Sequence, residues 1–402
     1  MPSLTVPESY GPELAGLPLP SAEEEIWRYT RIGDLDLARY TPVPAGASRG
    51  PIPDTELARL RKLNPAALAV TLDGVLAHLE ISPQATASGV VLAAGDVPVP
   101  GIGADPDEVF VRLNRTYRIS ALALTVPGNV TVNGPVVVVH VLTSPSAAVF
   151  PRLAVNVGRN ADVVVLEQFT STDIDALLVP VTELRAEQDA RLQYLALNQL
   201  GHQVTQIGLL ASVGERDSTT TLASVALGGA YARSRIEARL VGQGAHTEQI
   251  AVYFGEGEQL HDFRVLQDHA APKTTSNLLF KGAVQDTSRS VYTGLIKVRP
   301  EARGTSAYQA NRNIKLSEGA WADSVPNLDI ETNDVKCAHA SAVGPIDADQ
   351  LFYLESRGVP PGIAERLIVL GFFDEVLEQL PVAGVIDALR AEVAAKLDRR
   401  IQ

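Results

Sequence analysis

From about Val130 the chain is built of short apolar runs separated by Gly, Asn or Asp: PVVVVHVL, RLAVNVG, ADVVVLEQF, ARLQYLALNQLG, TTTLASVALGG, SRIEARLVGQG and TEQIAVYFGEG. Each run is dense in Val, Leu, Ala and Thr and reads as a strand. Alternation is clean in Ser234-Arg235-Ile236-Glu237-Ala238-Arg239-Leu240, where the charged residues take one side of a pleat and Ile236, Ala238 and Leu240 the other. Turn signals fall at spacings of roughly 8 to 14 residues, near the rhythm of all-β architectures. A sandwich and a stacked β-helix both satisfy that rhythm. It persists for about 200 residues, against roughly 100 for a sandwich domain, and small aliphatic side chains suit stacked coils. The pattern therefore favours a β-helix, although no exact sequence repeat sets the number of coils.

Before this region the texture is mixed. Residues 1–20 are irregular and Pro-rich, and Ser21 with Glu24, three apart, reads as a capping box opening a helix over Ser21–Tyr29. In the cluster EEEIWRYT, Trp27 and Tyr29 are expected to pack on a neighbour. Leu57, Leu60 and Leu63 predict a second helix over Asp54–Leu63 with Asp54 as its cap. A short strand over Val90–Ala93, a Gly/Pro-rich loop and a helical run from about Asp107 to Ala121 follow. After Gly344-Pro345 the texture turns helical again. Asp347 caps a helix with Gln350 three residues on, and Gly358, Pro360 and Pro361 close it. A second helix over Pro361–Leu370 places Ala364, Leu367, Ile368 and Gly371 on one face. A third, Val382–Ile401, carries Ile386, Leu389, Val393, Leu397 and Ile401 as a stripe. The chain thus divides into an N-terminal α-rich region (1–128), a β-helix core (129–342) and a C-terminal helical domain (343–402). The apolar stripes of the last exceed what three short helices bury among themselves, which predicts docking on the β body or on a partner.

At 402 residues, length alone suggests roughly two to three domains. Aromatic residues make up only 5%, so small and β-branched side chains must fill the interior. The formal net charge of -13 repels phosphate backbones and anionic lipid, which speaks against nucleic acid and membrane surfaces as partners. No apolar run approaches the ~20 residues of a membrane helix. The first residues lack the basic-then-apolar pattern of a secretory signal, and one cysteine excludes an intrachain disulfide. A cytoplasmic protein is expected.

Candidate chemistry is sparse. There is no G-x-x-x-x-G-K-[ST], no H-E-x-x-H, no G-x-S-x-G and no paired-cysteine zinc spacing, and Gly101-Ile102-Gly103 lacks the third glycine of a dinucleotide fingerprint. An enzyme is not expected. His261 beside Asp262 and Asp268 beside His269 are weak candidates for acid–base work. The sole cysteine, Cys337, stands two residues before His339, so in a strand their thiol and imidazole project from one face. Both are metal or sulfur ligands, yet an iron–sulfur cluster or a structural zinc usually takes about four protein ligands. Another chain would have to complete such a site. A lone cysteine serves equally well as a small buried hydrophobe. Rival readings are a β-helix enzyme acting on carbohydrate, which needs two or more carboxylates grouped in a groove, and a purely structural partner.

Read together, Ser276-Asn277-Leu278-Leu279-Phe280-Lys281-Gly282, Tyr292-Thr293-Gly294, Tyr308-Gln309-Ala310-Asn311-Arg312-Asn313, Ala322-Asp323-Ser324, Asp334-Val335-Lys336-Cys337, His339 and Leu351-Phe352-Tyr353-Leu354-Glu355-Ser356-Arg357-Gly358 resemble the SufB/SufD family of iron–sulfur cluster assembly proteins. EEIWRYT, Glu24 to Thr30, is similar to that family's N-terminal element. The likeness is dense from about residue 260 to 380 and sparse before 230. A single cysteine resembles the SufD-like branch, since SufB-like chains are longer and carry several. The resemblance implies a right-handed parallel β-helix flanked by N- and C-terminal helical regions. It also implies a scaffold role in cluster formation and iron acquisition, driven by a SufC ATPase, in a complex of one SufB, two SufC and one SufD. A SufB-like partner would meet the β-helix end. A SufC-like ATPase would sit on the C-terminal helices, with Leu351, Phe352, Leu354, Arg357, Gly358, Leu367 and Phe372 as candidate contacts.

The family's K-C-S-H-G segment falls on Lys336-Cys337-Ala338-His339-Ala340, with both serine and glycine replaced by alanine. The histidine matching His339 is implied to work at the SufB interface beside a SufB cysteine, with Cys337 as a second candidate. The implied cargo is a transient iron or iron–sulfur cluster shared with SufB, no cofactor being held permanently by the isolated chain. The residues are silent on flavin. An exposed β-helix end also makes a homodimer of the isolated chain plausible.

Overall fold

Alternation along each strand decides what lies inside. In Tyr231–Leu240 the side chains of Ala232, Ile236, Ala238 and Leu240 are buried, while Arg235 and Arg239, on the opposite side of the pleat, reach the surface of the same strand. Strands of this kind stack in register in a computed structural model that describes residues 5–44, 46–47, 50–95 and 108–401. They form a parallel β-solenoid of about eight turns with helices at both ends. One sheet, here sheet A, runs from Val91–Ala94 through Tyr231–Leu240 and Leu260–His269 to Trp321–Ile330. The facing sheet B runs from Val75–Ile81 through Thr275–Val284 and Thr305–Lys315 to Val335–Gly344. Tyr231 stands opposite Leu260, Leu260 opposite Arg289 and Arg289 opposite Trp321, so successive turns take 29, 29 and 32 residues. This drift in turn length explains why no exact repeat is visible in the sequence.

One corner of the solenoid is a column of left-handed residues: Asn129, Asn160, Asp189, Asp217, Gly244, Lys273 and Gly304 all have positive φ. Asn and Asp accept this conformation best among residues with a side chain. The corners bond from turn to turn, as in Asn160 N–H to Gln188 O (3.0 Å) and Asp217 N–H to Gln243 O (2.9 Å).

The interior of the early turns is largely aliphatic, with Val136, Val138, Val155, Val165, Leu184 and Leu192 buried around one polar cluster in which Glu167 bonds His140 (3.1 Å), Thr182 (2.7 Å) and Tyr194 (2.5 Å). Aromatic rings gather in the later turns: Phe263 meets Tyr253 and Phe280 at 4.9 and 5.3 Å between centroids. A separate set, Tyr10, Trp27, Tyr40, Phe110 and Phe150, packs beneath the N-terminal segment.

The helices are α1 (Asp54–Arg61), α2 (Pro83–Ala87), α3 (Val109–Tyr117), α4 (Ala348–Ser356), α5 (Pro361–Leu377) and α6 (Ala383–Ile401). Residues 67–126, read as helix-rich, also supply strands to both sheets, Ala67–Leu72 pairing in parallel with Val136–Leu142. Asp54 lies at the first helical position of α1, with Pro53 as the cap residue. Gly101-Ile102-Gly103 and Asp107 lie outside the described residues.

The helix expected over Ser21–Tyr29 shrinks to a 3-10 turn, Glu25–Trp27. The capping box itself forms: Ser21 N–H donates to Glu24 Oε1 at 2.8 Å and Glu23 N–H to Ser21 Oγ at 3.2 Å. The helix stops because Arg233 and Arg264 draw out the carbonyls of Ile26 (2.8 Å) and Arg28 (2.5 Å), which a continuing helix would use internally.

Asp347 caps α4 as expected, accepting from the N–H groups of Asp349 and Gln350 at 2.9 and 3.1 Å. The second C-terminal helix runs on beyond Leu370 to Leu377. The stripes of α5 and α6 dock on the outer face of sheet B. Val369, Phe373, Val376, Leu377, Leu389, Val393 and Leu397 are buried with Leu195, Val225, Val252 and Phe254, each side chain contributing about 1.5–3 kcal/mol. Two buried lysines pin the seam: Lys281 Nζ bonds Phe372 O (2.8 Å) and Glu375, and Lys396 Nζ bonds Glu256 at 2.9 Å.

His261 and His269 point into the solenoid. Burial, aided by nearby Lys396, pushes the His261 imidazole down to about 3, and burial takes His269 down to about 4 against the pull of Asp268. Both are neutral when folded and titrate near 6.5 when unfolded. Between about pH 6.5 and pH 4 the unfolded chain therefore binds more protons, and stability falls as the pH drops through that window. Each histidine should remove about 2 kcal/mol by pH 5. Urea unfolding at pH 7 and pH 5 checks this, and His261→Gln should show the shallower loss.

Candidate functional site

Both sheets stop at the same end of the solenoid. Trp321–Ile330 and Val335–Gly344 each pair with one neighbour only, so each leaves a row of backbone N–H and C=O groups along an open edge. Val335–Gly344 lies on Thr305–Lys315 with Cys337 opposite Ala307, His339 opposite Gln309 and Ser341 opposite Asn311. Ala307, Gln309 and Asn311 are buried inside the coil, while Tyr308 is exposed on its outer side. The pleat therefore sets Cys337, His339 and Ser341 on the inner face of the last strand, with no further turn above them.

The two candidate ligands sit differently on that face. Cys337 is half-buried against Ile296, Val298, Ala302 and Ala307. Burial pushes its thiol up, against a weaker opposing hydrogen bond from the Ala307 backbone, so the thiol stays protonated at neutral pH. His339 is exposed. No group of three or more His, Cys, Asp or Glu side chains among the described residues is placed to hold a metal ion. Around the open end, Trp321 (55% exposed), Val325, Leu328, Ile330 and Val343 present apolar surface beside the open strand edges.

A second apolar surface lies on α4 and the outer side of α5. Phe352 is 72% and Leu367 is 51% exposed, with Tyr353 and Ile363 exposed beside them. Leu351 and Leu354 are half-buried, Gly358 ends α4 at φ 87°, and the Arg357 guanidinium lies 5.3 Å from the Tyr353 ring. Phe372 faces the other way. Its ring packs against Phe373 at 5.3 Å, and Lys281 Nζ stands 4.5 Å from its centroid. It anchors α5 to sheet B.

The His–Asp neighbours do not form acid–base pairs, because adjacent strand residues project to opposite faces. His261 is buried inward, whereas Asp262 points outward to Arg233 and Arg264. His269 bonds Thr274 and Ser276 at 2.8 and 2.9 Å, and Asp268 bonds Arg299 at 2.7 Å. On sheet A, Glu237 is engaged by Arg235 and Arg239, Glu183 by Arg152 and Glu215 by Arg185.

Sequence reading singled out Asp262 for acid–base work and missed its setting at the centre of the outer face of sheet A. Asp262, fully buried, accepts from Arg233 (2.5 Å), Arg264 (2.8 Å) and Tyr231 (3.2 Å). The Arg233 guanidinium lies 3.7 Å from the Trp27 ring. The N-terminal EEIWRYT segment is thereby strapped to the solenoid. The available signal was the row of outward charges Arg233, Asp262 and Arg264 at i, i+2 spacing and in matching places on two strands.

A family model for the SufBD core domain of SUF-system FeS cluster assembly matches residues 140–372. An iron–sulfur cluster assembly SufBD family protein of Mycobacterium leprae (strain TN) is 30% identical over 387 residues, covering 94% of this chain and 91% of the relative. The iron–sulfur cluster assembly protein SufD of Escherichia coli (strain K12) is 27% identical over 398 residues, covering 95% and 89%. SufD of Bacillus subtilis (strain 168) is 30% identical over 282 residues, covering 69% and 64%. With the match spanning most of the solenoid, including the strand before the open end and the strand that carries Cys337 and His339, the chain belongs to the SufB/SufD family of iron–sulfur cluster assembly proteins.

Proposed function

We propose that this chain is the SufD-like, non-catalytic scaffold subunit of a cytoplasmic complex of one SufB-like, two SufC-like and one SufD-like chain. The open solenoid end is where a SufB-like chain adds its own β-helix, and the nascent iron–sulfur cluster is cargo built at that junction. His339, with Cys337 beside it, supplies one side of the site and takes part in iron acquisition there. Neutral imidazole is a competent iron ligand, tuned by what its second nitrogen bonds. The observation that carries this reading is the placement of an exposed imidazole and the sole thiol on one inner face of a last strand whose outer edge is open. Two ligands fall short of about four, which supports a partner's residues as the remainder. The isolated chain holds no cofactor permanently, and without SufB the same apolar rim and strand edges pair with a second copy.

The exposed face of α4 and α5 is the seat of a SufC-like ATPase. Phe352, Leu367, Leu351, Leu354, Arg357 and Gly358 form it, and Phe372 supports it from within. ATP hydrolysis by that subunit drives motion at the junction. Co-purification with SufB-like and SufC-like chains, followed by iron and sulfide analysis, tests the assignment. Phe352→Asp combined with Leu367→Asp should abolish SufC capture and leave the melting temperature unchanged, because both side chains are more than half exposed. Retained capture would remove α4 from the interface.

A further inference from the structure

In the turns beneath the open end Tyr253, Tyr292, Gln309, Asn311 and Asn313 are buried in the interior. These polar groups satisfy one another. Tyr253 O–H donates to Asn313 Oδ1 (2.7 Å), Asn313 Nδ2 to Asn311 Oδ1 (2.7 Å) and Asn311 Nδ2 to Tyr253 Oη (2.8 Å), closing a ring. Beside it Tyr292 O–H donates to Gln309 Oε1 at 2.8 Å, and Gln309 Nε2 donates to Asn327 O at 3.2 Å.

Two glycines keep the space open. A Cβ on Gly294 would stand 2.2 Å from Tyr292 Oη and 2.3 Å from Gln309 Oε1, and one on Gly282 would stand 1.9 Å from the Tyr253 ring. Two side chains are thus given up on the inner wall so that phenols and amides can meet.

Aliphatic packing would fill the coil without the cost of burying polar groups. A satisfied network adds a single permitted geometry. That is needed most at the open end, where a slip of one residue would turn Cys337 and His339 to the outer face. Gln309, Asn311 and Asn313 stand directly opposite His339, Ser341 and Val343.

We infer that Gln309, clamped by Tyr292, is a positioning residue for His339, and that the Tyr253–Asn311–Asn313 ring fixes the register of the strand beneath it. The inference rests on the role proposed above for His339. The test uses the full chain with labelled histidine, the His339 ring signals being assigned by their loss in His339→Ala. Gln309→Leu should shift or split those signals and lower cluster assembly by the reconstituted complex about 10- to 100-fold.

Tyr292→Phe with Gln309→Leu removes both partners of the Tyr292–Gln309 bond, and the Asn327 carbonyl that Gln309 also served lies on a partly exposed edge strand where water can replace it, so the double variant should recover most of the melting temperature without recovering the His339 signals or assembly. Unchanged ring signals in Gln309→Leu, or assembly that returns with stability in the double variant, would reduce Gln309 to core filling and overturn the inference. If His339→Ala leaves assembly intact while Gln309→Leu still displaces the ring signals, the functional reading fails and the positioning stands.

Discussion

Asp262→Ala is expected to cost about 3–5 kcal/mol of folding stability, since removing one partner of a buried ion pair leaves uncompensated charge. Asp262 is fully buried between two guanidinium groups that are themselves at most 5% exposed. Its loss leaves Arg233 and Arg264 facing each other without a counter-charge. Those two arginines also hold the Ile26 and Arg28 carbonyls, so the N-terminal strap should loosen in the same variant. Urea unfolding gives the energy, and tryptic cleavage after Arg28 reports the strap. A loss under about 1 kcal/mol, within the range of an exposed pair, with no faster cleavage, would mean that Trp27 packing alone holds the segment.

Gly282→Ala carries the second large effect. Its Cβ would stand 1.9 and 2.4 Å from Tyr253 Cε2 and Cζ and 2.6 Å from Asn313 Oδ1. Tyr253 is buried and its hydroxyl is committed to Asn311 and Asn313, so the ring has little freedom to withdraw. Overpacking of this kind costs about 1–3 kcal/mol and occasionally more. In a Tyr253→Leu background the same glycine change should cost less, with a coupling of about 0.5–3 kcal/mol in the double-mutant cycle. Equal penalties in both backgrounds would show that the tyrosine ring is not what the glycine makes room for.

Most of the solenoid was legible because strands need period-two alternation, and runs such as Ser234–Leu240 carry it openly. The number of turns was hidden in the corners. Asn129, Asn160, Asp189 and Asp217 form a recurrent left-handed column, but Gly244, Lys273 and Gly304 continue it with different residues and unequal spacing. The C-terminal helices were legible from their caps, Asp347 and Gly358. Which of their faces docks was not, because a stripe such as Leu389, Val393 and Leu397 reads the same against a sheet as against a partner.

Local signals misled where distant residues overrode them. The capping box at Ser21 forms its hydrogen bonds, yet Arg233 and Arg264, more than 200 residues away, end the helix. At the site, the i to i+2 rule correctly placed Cys337 and His339 on one face. It could not reveal that the supporting side chains, Gln309 and Tyr292, come from earlier turns and meet only through the stacking register.

The role proposed for His339 in building the cluster at the open end is checked by reconstituting the complex with His339→Ala and following cluster formation from iron and sulfide. His339 is exposed and opens no cavity when truncated, so the expected result is an intact complex of unchanged composition with cluster assembly greatly reduced. Assembly at the unaltered rate and yield in that intact complex would contradict it.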